Sequence, residues 1–148
     1  MDFTETIETR RSIRNYQSRD IEPDVLERIV AAAVAAPTGS DKQTWHLYLA
    51  ESPGVKERLG TDGTTQHFIK DAPVIAACVA EKRYRTDAII AIDHLVLAAR
   101  NEGIGTCWVG FFDGEKVKEI LGAPADQDVV MLVPMGYPAD PDAFCLKK

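Results

Sequence analysis

TDAIIAIDHLVLAARN, residues 86–101, runs into EGIGTCWVG, residues 102–110. At 3.6 residues per turn, Ile89, Ile90, Ile92, Leu95, Val96 and Leu97 point in nearly all directions around a helix axis, so this helix is apolar almost all round. Gly103 then ends the helix as a left-handed cap, and Ile104 to Gly110 reads as a strand. The close glycines resemble a dinucleotide-binding turn, but that pattern needs a third glycine three residues beyond Gly105, where Trp108 stands. It also lies between a strand and a following helix, whereas here the helix comes first. The doubly wound fold loses its main signal.

On either side the same alternation of short elements continues. Asp2 caps a short helix carrying Phe3 and Ile7, which ends near Arg10. Pro23 opens a second helix, with Leu26, Ile29, Val30, Ala33 and Val34 as its apolar stripe, and Pro37 stops it. A polar turn leads into a strand over Trp45 to Ala50, and Ser52-Pro53 begins a further short helix. Thr61 to Lys70 reads as a weakly patterned helix. Pro73 to Ala80 reads as a strand buried on both faces, since its apolar run is unbroken. Asp113 caps a helix closed by Gly122, and Val129 to Val133 forms the last strand before Pro134 and Pro138. Helices around four strands, without regular strand-helix alternation, predict an α+β fold. No repeat or linker divides the chain, so residues 1–148 are expected to form one domain.

The totals narrow the function classes. A net charge of −6 and a pI near 5.0 argue against nucleic acid or an anionic membrane as the main partner. Cys78, Cys107 and Cys145 are odd in number and widely spaced, which fits a reducing, cytoplasmic setting and offers no metal-thiolate pattern. His46, His67 and His94 are scattered, so no metal site is expected. The apolar run from Ala88 to Ala99 is interrupted by Asp93 and His94 and falls short of the ~20 residues of a membrane span. A chain this small can hardly wrap that helix on every side, which points to a second copy and a homodimer.

Three stretches could carry chemistry. Arg10, Arg11, Ser12 and Arg14 place three guanidiniums and a hydroxyl within five residues, a donor set suited to phosphate and equally describable as a solvated basic face. Pro37, Thr38, Gly39, Ser40 and Gln43 offer hydroxyl and amide groups, with Gly39 able to admit a ligand close to the backbone. Trp108, Val109 and Gly110 end a glycine-rich run that could lie along a flat heteroaromatic ring or simply form a cap and core strand. No nucleophile elbow, Walker loop or zinc helix occurs.

Taken in order, RRSIR at 10–14, APTGS at 36–40 with Gln43 and Trp45, DAP at 71–73, GTCWVG at 105–110 and PMGYP at 134–138 resemble the nitroreductase family over nearly the whole chain. The resemblance implies an α+β sandwich, a central and mostly antiparallel sheet flanked by helices, in an intertwined homodimer. It also implies FMN at the subunit interface and NADH or NADPH as hydride donor. Carried over by position, Arg10, Arg11 and Ser12 hold the phosphate and ribityl end, and Arg14 approaches the pyrimidine side of the ring. Pro37, Thr38, Gly39 and Ser40 line the ring from the partner, with Gln43 nearby. Val109 and Gly110 offer amides near flavin N5 beside Trp108, and Lys147 reaches back toward the phosphate. Thr44 stands where the family commonly has proline, and Asp41 where asparagine is common. The middle section is short compared with many relatives.

The expected function is therefore an FMN-dependent NAD(P)H oxidoreductase acting by ping-pong turnover on nitroaromatics, quinones or similar small conjugated acceptors, with the flavin carrying the chemistry. Two alternatives are a flavin-binding or flavin-sensing module without dinucleotide turnover, and a dimerising interaction domain without flavin.

Overall fold

Every residue from Val74 to Ala80 is buried, because this strand lies inside a sheet covered on both faces. The structure, a computed structural model, describes residues 1–145. Four strands, β1 (Trp45–Ala50), β2 (Val74–Ala80), β3 (Gly105–Thr106) and β4 (Asp128–Gly136), pair antiparallel in the order β1-β2-β4-β3. On β2 the alternation of side chains is strict. Val74, Ala76, Cys78 and Ala80 face a core shared with α2 (Pro23–Val34) and α4 (Arg85–Asn101). Ile75, Ala77 and Val79 face a second core that contains Leu59, Ile69 and Val117. That face is covered by α3 (Pro53–Arg58), two irregular turns and α5 (Gly114–Leu121), which makes an α+β sandwich. Helix α1 (Phe3–Thr9) packs on α4.

Local chemistry accounts for most boundaries. Asp2, Ser52 and Asp113 each accept a backbone N–H from the first turn of their helix, and Gly122 ends α5 at φ 67°. Three expectations are corrected. The helix read over Thr61 to Lys70 is a π turn at Leu59–Gly63, an extended Thr64, and a 3-10 turn at His67–Asp71. A Cβ at Gly60 would stand 2.8 Å from Lys70 Cβ, so the segment is folded back on itself by packing that a regular helix would not allow. The strand read from Ile104 to Gly110 keeps regular pairing at Gly105 and Thr106, then returns to β4 through Val109. The last strand passes through Pro134 to Gly136, since the proline lacks a donor but its carbonyl still accepts from Cys107 N–H at 3.4 Å.

The all-round apolar helix α4 divides into two surfaces. Ala88, Ala91, Ile92, Leu95, Val96 and Ala99 are buried in the core with α2 and the sheet. Leu97 and Ala98 instead line an open groove with Phe3, which is 73% exposed. No helix among the described residues is long and apolar enough to cross a membrane.

Candidate functional site

After α1 the backbone runs extended along the free side of β3. Ser12 bridges Thr106 in parallel, Ile13 N–H donates to Thr106 C=O at 2.8 Å, and Gln17 N–H donates to Tyr137 C=O at 2.9 Å. Extended backbone sends alternate side chains to opposite sides. Ile13 goes inward against Gly105, while Arg10, Ser12 and Arg14 gather around the buried Cys107 thiol. Burial pushes that thiol up; the Arg14 charge, the Ser12 hydroxyl and the Arg10 charge pull against it. Tyr16, whose hydroxyl donates to Ile13 C=O at 2.6 Å, is pushed up by burial and by Cys107, with Arg14 opposing.

The arginines differ in what holds them. Arg19, Arg28, Arg58 and Arg83 each pair with a carboxylate. Among the described residues neither the Arg10 nor the Arg14 guanidinium makes a hydrogen bond or ion pair. Arg11 is turned the other way, its Nη1 donating at 2.8 Å to both Glu8 C=O and Arg10 C=O. The five-residue cluster is thus split: Arg10, Ser12 and Arg14 share a face, and Arg11 is folded onto the end of α1.

The second stretch is a strained loop. Thr38 Oγ1 accepts Gln43 N–H at 3.1 Å, closing it around a 3-10 turn at Gly39–Asp41. Ser40, Asp41 and Gln43 have φ of 54°, 53° and 51° with no glycine among them. Such positions persist only where surroundings over-determine them, and they concentrate at functional sites. Gly39, read as admitting a ligand close to the backbone, does not have a positive φ, and a Cβ there would stand 3.7 Å from Asp87 Oδ2 in ordinary contact. The clamp is Asp87, in the first turn of α4, whose Oδ2 accepts from Gly39 N–H at 3.1 Å and from the Thr44 hydroxyl at 3.5 Å. Sequence reasoning did not single out Asp87; Pro37 and Ser40 beside its partners are exposed.

The third stretch narrows. Val109 N–H donates to Leu132 C=O at 2.9 Å and is spent in the sheet. Gly110, next along, is exposed, and Trp108 is half-buried against the α2 and α4 core. Lys147 lies outside the described residues.

Helix α4 shows how these parts relate. Its first turn holds the loop through Asp87, and its last turn holds Thr9, one residue before Arg10, through Arg100 Nε at 2.9 Å. From residue 87 to residue 100, at 1.5 Å per residue, is about 20 Å. The loop and the end of α1 from which the arginine face starts are thus held at opposite ends of α4.

Comparison with known proteins identifies the family. A family model described as "Putative TM nitroreductase" covers residues 2–145. The "Putative NADH dehydrogenase/NAD(P)H nitroreductase" of Methanothermobacter thermautotrophicus is 30% identical over 168 aligned positions, spanning 100% of this chain and 88% of that protein. The crystal structure of a nitroreductase family protein from Clostridium novyi NT superposes with a TM-score of 0.90 at 31% identity, covering 95% of this chain and 87% of that one. An FMN-dependent nitroreductase from Clostridium difficile R20291 gives a TM-score of 0.86 at 26% identity, covering 93% and 88%. The chain belongs to the nitroreductase family.

Proposed function

We propose that the protein is an FMN-dependent oxidoreductase that takes hydride from NADH or NADPH and passes it to a nitroaromatic, quinone or similarly conjugated small acceptor by ping-pong turnover. The observation that carries this reading is the Arg10, Ser12, Arg14 face, where two guanidiniums that have no hydrogen bond or ion pair among the described residues flank a hydroxyl. A phosphate monoester suits that donor set, because guanidinium forks give charge-assisted bonds to its oxygens. Family membership and the FMN-dependent structural neighbour support the choice of flavin.

FMN supplies the hydride chemistry at its N5. Arg10 and Ser12 hold the phosphate and ribityl end, and Arg11, turned toward α1, supports them from behind. Arg14 would lie at the pyrimidine side, where its charge would favour an electron-rich ring. With Val109 N–H spent on Leu132, Gly110 would offer the amide to the ring edge. Pro37, Thr38, Gly39, Ser40 and Gln43 line the ring from the partner subunit of a homodimer, the arrangement that the length of α4 favours. The setting is cytoplasmic, in keeping with the free thiols of Cys78, Cys107 and Cys145.

One observation favours a second reading, a flavin-binding module without dinucleotide turnover. Residues 81–84 alone connect β2 to α4. The alignment to the M. thermautotrophicus protein spans 168 positions against 148 residues, so at least 20 positions are missing here. We place those positions in this connection, which would leave a flavin ring with less cover. Anaerobic titration separates the readings: the oxidoreductase is yellow and NADH or NADPH bleaches it, whereas the module stays oxidised with both. Colourless protein that fails to take up FMN refutes both.

A further inference from the structure

Arg100 is 7% exposed, yet among the described residues no carboxylate pairs with it. Buried arginines are ordinarily paired, because an uncompensated charge is costly away from water. Its Nε donates to Thr9 Oγ1 at 2.9 Å, and its guanidinium lies 4.0 Å from the centre of the Phe144 ring. Burial lowers its pKa, the charges of Glu5 and Cys145 oppose this, and Arg11 adds to the lowering. A cation at the end of α4 gains from the helix carbonyls, but that does not explain its aim at Thr9. The Thr9 hydroxyl uses its proton on Glu5 C=O at 2.6 Å and its lone pair on Arg100, so the last turn of α1 is tied to α4. Arg10 follows directly, its N–H closing the helix on Thr6 C=O at 3.1 Å.

We infer that Arg100 is a positioning residue for the phosphate end of the flavin site: through Thr9 it fixes the last turn of α1 and thereby the direction in which Arg10 leaves the helix. This rests on the flavin reading above and adds a residue to it. An arginine is used because its fork can bond Thr9 edge-on while its flat face packs on Phe144, which an ammonium cannot do.

Riboflavin, which lacks the phosphate, provides the test. Dissociation constants for FMN and riboflavin are measured on the flavin-depleted full chain for wild type, Arg100→Gln and the near-isosteric Thr9→Val. The expected result is at least about a five-fold loss of FMN affinity in both variants, with riboflavin within about two-fold of wild type. Equal losses for both flavins, or an unchanged FMN-to-riboflavin ratio, overturn the inference. So does a loss confined to Arg100→Gln, because the effect then does not pass through Thr9. If Arg100→Gln does not fold, Thr9→Val alone decides. A wild type that does not prefer FMN over riboflavin removes the phosphate reading itself, a failure distinct from the others.

Discussion

A Cβ at Gly105 would lie 2.6 Å from Ile13 Cγ1, and nothing near that contact is a flexible chain end. Gly105→Ala therefore pushes the segment carrying Ser12 off the edge of β3, at an overpacking cost of about 1–3 kcal/mol. For a chain of this size that is a fall in Tm of several degrees, roughly 2–4 °C per kcal/mol. Bound flavin should fall with it, because the Arg10, Ser12, Arg14 face hangs on the bond from Ile13 N–H to Thr106 C=O. A Gly105→Ala protein with lowered Tm and full flavin content would show that the face is placed without β3. At Glu22 the question is pH. Its two carboxylate oxygens accept from the Tyr137 hydroxyl and from Arg19, both at 2.5 Å, and Arg19 lies 3.9 Å over the Tyr137 ring. The Tyr137 hydroxyl, then the Arg19 guanidinium, hold the carboxyl at about 2 against an ordinary 4.5. A depressed carboxylate contributes stability that is fully present above its unfolded value and lost as pH falls to its folded value. Glu22→Gln should thus lower the urea midpoint at neutral pH, and the gap should close between about pH 4.5 and pH 2. A gap that stays constant across that window would mean that the triad adds no net stability through its charge.

Among the elements, the 38–44 loop depends on a residue far from it in sequence. Removing the Asp87 carboxylate leaves Gly39 N–H and the Thr44 hydroxyl without their acceptor and three left-handed residues without their clamp. In Asp87→Ala the Gly39 amide should exchange with solvent about ten-fold faster, in line with the loss of roughly 1.5 kcal/mol from a bond to a charged acceptor. Amides inside β2 should be unchanged; exchange rising equally in both would mean that Asp87 serves the whole fold. The same contrast between local and distant causes decides what could be read from sequence. Helix α2 announces itself by Pro23 and its stripe, α5 by Asp113 and Gly122, and β2 by its unbroken apolar run. Residues 59–71 do not, because their turns are set by the fit of Gly60 against Lys70 and by the His67 ring donating to Gly60 C=O at 2.6 Å. The arginine cluster was visible as residue types, but its division was not: separating Arg11 from Arg10, Ser12 and Arg14 requires knowing that the backbone there is extended along β3. Asp87 was invisible for the same reason, since its partners lie more than forty residues earlier in the chain.

For the whole molecule, the open groove of Phe3, Leu97 and Ala98 and the length of α4 bear on one question. If the loop and the arginine face are about 20 Å apart in one chain and both contact one flavin, the flavin must bridge two chains. Burying the groove against a second copy would provide the two-fold arrangement. Two variants, each unable to bind flavin as a homodimer, then complement each other. In Arg10→Glu with Arg14→Glu the phosphate face is reversed; in Gly39→Glu the ring-facing loop carries a bulky charge. Each mixed dimer has one site that combines both defects and one site built entirely from unaltered parts. After unfolding and refolding at equal concentrations, half the dimers are mixed, so flavin should return to about one quarter of all sites. Bleaching of that fraction by NADH or NADPH would show that the restored sites are active. Recovery of none, with both homodimers folded and colourless, would place loop and arginines of the same chain in one site and remove the flavin from the subunit boundary.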